Sequence, residues 1–138
     1  MKGFTITTPG IQPIRFLFYN EAAPVTVSAF AKMLPFTCLF VHARVSGEEI
    51  WVSDAHRLDI IQENASVFTQ PGEIVFGPVK PLRTKTSGCI GIYYGEGKGL
   101  DCGNIFGKVV DDDLLLLRTL GEKIWKHGEQ ELIFQLAE

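Results

Sequence analysis

The stretch FVHARVSGEEIW, residues 40–51, places His42, Arg44, Glu49 and Trp51 within ten positions. Arginine can hold a carboxylate through two parallel hydrogen bonds. Imidazole titrates near neutrality and can act as donor, acceptor or general base, and indole offers a large flat apolar surface. Together they suit a small, anionic molecule. Arg44 would be the anchor, Trp51 the wall and His42 the donor or catalytic base, while Glu49 holds Arg44 until a ligand arrives. Tyr94 and Glu96, at the base of and within the glycine-rich segment 95–103, are the expected further contacts. The competing reading is a decorated sheet surface with one exposed ion pair, worth ~0–1 kcal/mol.

Other clusters promise less. The three histidines, His42, His56 and His127, do not pair at a ligand spacing, and Cys-x-x-Cys is absent, so neither a metal nor a cofactor is expected. His56 with Asp54 and Asp59 reads as a solvated loop. Cys89 opens an apolar strand, where a thiol is buried and inert. Cys102 lies in the glycine segment beside Asp101, whose charge would raise its pKa. That segment does not read as a phosphate-binding loop, because a strand follows it where phosphate binding needs a helix. Glu63 and Glu73 flank the 64–72 loop and are expected to be solvated.

Positioning these groups requires a sheet. Residues 14–19, 37–45, 48–52, 73–76, 89–94, 104–110 and 129–137 read as strands. Residues 54–70 and 77–87 read as loops and 95–103 as a mobile one. Val27, Phe30, Ala31 and Leu34 form a helical stripe after Pro24, predicting a helix over 24–34 ended by Pro35. A second helix is expected at 112–126, capped by aspartates, with Gly121 as the point where it could break and Leu114–Leu117 in the core. Ser46–Gly47 is read as a two-residue turn. That register pairs Arg44 with Glu49 and His42 with Trp51. It also sends Leu39, Val41, Ala43 and Val45 inward and Cys38, Phe40, His42 and Arg44 outward. Two helices cannot cover both faces of a large parallel sheet, so a small, mainly antiparallel β-barrel is expected.

Two segments carry a family likeness. EAAPVTVSAFAKML resembles the first helix of cyclophilins, Ala-Pro-x-Thr-x-x-x-Phe, at Ala23, Pro24, Thr26 and Phe30. NIFGKVVDDD resembles their Val-Phe-Gly-Lys-Val stretch at Phe106–Val110. The middle of the chain, LPF…GEEIW…PGEIVF…IGIYYGEG…NIFGKVV, resembles short, mostly bacterial cyclophilin-like proteins of unknown function. The resemblance implies a closed cyclophilin-like barrel with two helices over one domain, 1–138. It also implies a prolyl isomerase or proline-peptide binder as an alternative function. The isomerase stretches Gln-Gly-Gly-Asp and Gln-Phe-Phe are absent, and Phe40, His42 and Arg44 only echo Phe-His-Arg.

Bulk properties narrow the classes further. With 138 residues, 46% apolar and 21% charged, the chain can bury one core without disulfides. A net charge of -3 without a basic block argues against nucleic-acid partners and membrane attraction. Three cysteines and an N-terminus without an apolar signal region point to the cytoplasm. A third functional class is an assembly protein, with the hairpin face as the interface of a homo-oligomer.

Overall fold

The computed structural model describes residues 1–80 and 86–137, so positions 81–85 of the expected 77–87 loop lie outside it. In chain order the elements are β1 (Gly3–Thr8), β2 (Ile11–Phe18), α1 (Pro24–Met33), β3 (Phe36–His42), β4 (Gly47–Val52), β5 (Ala65–Phe68), β6 (Glu73–Phe76), β7 (Ile90–Val109), a 3-10 turn (Asp111–Asp113), α2 (Leu114–His127) and β8 (Gln130–Ala137). The strands form one antiparallel sheet, β2-β1-β8-β3-β4-β7-β5, and β2 also pairs with β7, closing a ring.

β6 is inserted within that ring. Ile74 pairs with both Ile92 and Gly107, and Phe76 with both Ile90 and Asn104. The two ends of β7 therefore run in the same direction on either side of β6, and the glycine-rich middle doubles back between them. That middle was expected to be a mobile loop. It is instead extended and paired, with Gly97 opposite Gly47 and Lys98 opposite Phe68. Two strands escaped the sequence reading. β1 has the apolar alternation Phe4, Ile6, and β5 lies inside the stretch read as a 54–70 loop.

The core is aromatic. Phe4, Phe16, Phe30, Phe106 and Phe134 are essentially solvent-free, and the Phe4–Phe16 rings stack with centroids 4.8 Å apart. Each such side chain contributes about 1.5–3 kcal/mol by burial. Phe30 ties α1 to this cluster, 4.7 Å from the Phe106 ring centroid.

Neither helix is capped by its own N-cap side chain. In α1 the N-cap is Ala23, and the carboxylate of Glu63 takes its place. It accepts from the Thr26 amide and hydroxyl, each at 2.8 Å, and from the Val25 amide at 3.2 Å. A negative charge there also complements the helix dipole. At α2 the aspartate expected to cap is engaged elsewhere: Asp113 accepts from the Arg15 backbone and guanidinium at 2.8–3.0 Å. Those bonds hold its carboxyl below the ordinary range. Glu73 is buried as well, accepting from the Tyr19 hydroxyl at 2.8 Å and the Gln70 amide at 2.6 Å. Glu63 and Glu73 are thus structural rather than solvated.

α2 runs unbroken through Gly121. The glycine is there because any Cβ at this position would overlap the Tyr94 ring. Of the leucine run, Leu117 is fully buried but Leu115 faces solvent, as helical periodicity requires. Among the described residues, no helix is long and apolar enough to cross a membrane.

Candidate functional site

The hairpin of residues 36–52 differs from the expected one by a single residue of register. Val41 pairs with Trp51 and His42 with Ile50, and the Ala43 amide donates to the Glu49 carbonyl at 2.9 Å. The connection is longer than two residues because its tip is bound to β7. The Lys98 amide donates to the Ser46 carbonyl at 2.9 Å, and Gly47, at φ 101°, abuts Gly97. The neighbouring strand, invisible to a two-strand argument, sets the turn.

A one-residue slip reverses every side chain of β3. Phe40 is 0% exposed and belongs to the core, whereas Val41 is 40% exposed and Leu39 also faces out. The expected inward and outward rows of β3 are therefore exchanged. His42 turns inward with Phe40. Its Nε2 lies 2.7 Å from the Tyr94 hydroxyl and its Nδ1 2.7 Å from the Ala43 carbonyl. Its ring meets that of Trp125, centroids 4.7 Å apart. Tyr94, expected as a further ligand contact, is a core residue.

Outside the ring lies a cavity of about 610 Å³. Val41, Val45 and Trp51 wall it from the hairpin, Val75 from β6 and Leu100 from β7, while Arg44 and Asp101 also line it. Glu49, Tyr93, Ser46 and Cys89 complete the lining. Of the residues singled out from sequence, Arg44, Glu49 and Trp51 meet here. His42 touches the lining but commits both ring nitrogens elsewhere. Tyr94 is on the opposite side of the sheet. Glu96 is exposed, its amide donating to Glu48 Oε1 at 3.1 Å.

The expected Arg44–Glu49 ion pair does not form. Glu49 is 8% exposed and bonded to the hydroxyls of Ser46 and Tyr93. Arg44 is exposed and makes no ion pair among the described residues. Burial pushes the Glu49 carboxyl above its ordinary range, against the lowering effect of the two hydroxyls. Burial, aided by the Glu49 charge, also raises Tyr93 and pushes the Cys89 thiol up to about 12. Cys89 is therefore a neutral thiol, as its place in an apolar strand implied.

Glycines make room for this group. A Cβ at Gly91 would collide with Glu49 Oε2, and one at Gly97 would press into the Tyr93 ring. Ser46, Tyr93 and Cys89 were missed as a cluster, yet one signal was present. Tyr93 follows Ile92 in a strand whose Ile90 and Ile92 face the core, so it must face out, opposite Glu49.

The ring of antiparallel strands with two helices defines a cyclophilin-like fold, and solved structures agree. McbB, determined in complex with tryptophan, is similar with a TM-score of 0.73 at 19% identity over 96% of this chain, which spans only 44% of that one. A hypothetical protein of Archaeoglobus fulgidus is similar at 0.64 and 17% identity, covering 99% of this chain and 95% of that one. A cyclophilin-type peptidyl-prolyl cis-trans isomerase of Cryptosporidium parvum, determined in the presence of the dipeptide Ala-Pro, is also similar at 0.64. There the identity is 15% and 99% of each chain is covered. At these identities the likeness is one of fold. No curated protein matches. Residues 4–136 match the family described as "Protein of unknown function (DUF3830)", and the chain belongs to that family.

Proposed function

We propose that the cavity outside the β3–β4 hairpin binds a small organic molecule with an apolar body and an anionic group. One observation carries the reading: an arginine without an ion pair among the described residues lines the same cavity as an indole and a group of aliphatic side chains. The volume lies within the range of small-molecule sites, about 300–1,000 Å³. Arg44 anchors the anion by a charge-assisted bond. Trp51, Val41 and Val75 enclose the body. His42 supports the wall from behind, so any proton handling falls to Glu49, the buried carboxyl of the lining, since burial raises the neighbouring Tyr93 and Cys89 far from neutrality. McbB, of which this chain spans 44%, was determined in complex with tryptophan, itself an apolar body with a carboxylate.

The test is calorimetric titration with indole-3-propionate. Binding should weaken about tenfold in Arg44→Ala, the loss of roughly 1.4 kcal/mol, and also in Trp51→Ala. Equal affinity in the parent protein and both variants would overturn the reading.

A further inference from the structure

Resting on the cavity reading above, we propose that Glu49 receives a protonated amine, making the ligand a zwitterion whose carboxylate meets Arg44 and whose ammonium meets Glu49. Both side chains line one cavity and have no salt bridge to each other. Glu49 is buried, and its side-chain partners are the neutral hydroxyls of Ser46 and Tyr93. A carboxylate taken out of water without a cation costs several kcal/mol. A glutamine would accept the same two hydrogen bonds without that cost. An ionisable group at this position is therefore unexplained by the fold and explained by a cation arriving from the cavity.

The surroundings favour an ammonium. Trp51, two residues along the same face of β4, lines the same cavity, and an indole ring attracts cations. Val41 and Val75 lower the local dielectric, which strengthens the ion pair. The other groups facing Glu49 are the Tyr93 hydroxyl, the neutral Cys89 thiol and, along the cavity lining, Arg44 and Asp101. Calcium would require six to eight oxygen ligands. Among the described residues no group of three His, Cys, Asp or Glu side chains is placed to hold a metal.

Docking has a proton balance. When an ammonium meets a protonated Glu49, the carboxyl gives its proton to the buffer and the ion pair forms. Affinity for the amine should therefore rise with pH until Glu49 is ionised in the free protein, and the binding enthalpy should depend on the buffer's ionisation enthalpy.

The experiment compares tryptophan, indole-3-propionate and tryptamine by calorimetry across pH 5–7, on the parent protein and Glu49→Gln. Tryptophan should bind about tenfold more tightly than indole-3-propionate. Glu49→Gln should erase that preference while indole-3-propionate still binds. Proton release with tryptophan, read from the dependence of the binding enthalpy on the buffer, should disappear in Glu49→Gln. Equal or tighter binding of indole-3-propionate, or a preference that survives Glu49→Gln, overturns the inference. Tryptamine binding that depends on Glu49, without binding of indole-3-propionate, keeps the amine site and removes the anion reading. Failure of all three probes overturns both.

Discussion

Tyr93 and Tyr94 are adjacent in β7 and meet opposite environments. Tyr94 points into the ring, its hydroxyl 2.7 Å from His42 and its ring against Gly121 of α2. Tyr93 points outward to Glu49 and the cavity. Each is almost fully buried, so burial does not distinguish them. What differs is the neighbouring polar group. The imidazole has both nitrogens matched within the fold, whereas the carboxylate has only neutral partners beside open space. A matched polar pair stabilises; a buried charge without a counter-ion marks a place for something else.

The comparison breaks most sharply at Gly121. Gly121→Ala drives a methyl into the Tyr94 ring and should cost about 1–3 kcal/mol, read as a lower urea midpoint with probe affinity unchanged. An unshifted midpoint would mean that the inner tyrosine is not tightly held. A smaller effect separates the two hydroxyls. Tyr94→Phe removes the His42 bond and should cost about 1 kcal/mol, with no change in probe binding. Tyr93→Phe removes a bond that lowers the Glu49 pKa. It should shift the pH at which tryptophan affinity levels off upward, seen by calorimetry. If both variants behave alike, the distinction between the two faces fails.

The smallest effect is on the pH dependence of stability. Glu49 has a folded pKa above its ordinary 4.5. The folded state therefore binds the extra proton, and the Glu49 contribution is greatest below 4.5 and declines as pH rises through the folded pKa. Glu49→Gln should remove that decline in denaturation curves taken from pH 4 to 7. Asp113 has the opposite slope, since its folded pKa lies below the ordinary 3.8. Its contribution is present above 3.8 and is lost as pH falls through the folded value. Asp113→Asn should flatten the acid limb and leave the Glu49 decline intact.

The architecture was legible where local chemistry sets it. Pro24 and the stripe Val27–Phe30 mark α1, and Phe106–Val110 carry the family likeness. The register of the hairpin was not, because two apolar rows compete along β3. The aliphatic row Leu39, Val41, Ala43 resembles a core face, and Phe40 alone stands in the other. The structure buries the Phe40 row and uses Val41 and Ala43 to line the cavity. Arg44, Glu49 and Trp51 nevertheless meet, because the register error moves their partners more than their common location. Tyr94 shares the parity of Ile90 and Ile92, which sends it into the core and leaves Tyr93 to the cavity. The Glu63 cap and the Arg15–Asp113 bonds span 37 and 98 positions, beyond the reach of any local pattern.

The placement of β6 between the two ends of β7 has a mechanical corollary. Ile74, Val75 and Phe76 pair along both edges with segments that the chain itself joins through positions 93–103. A cut in that joining stretch would leave each severed end still laced to the same short ribbon. Two fragments divided there should re-form the closed sheet when mixed, which would make the protein divisible without being dismantled.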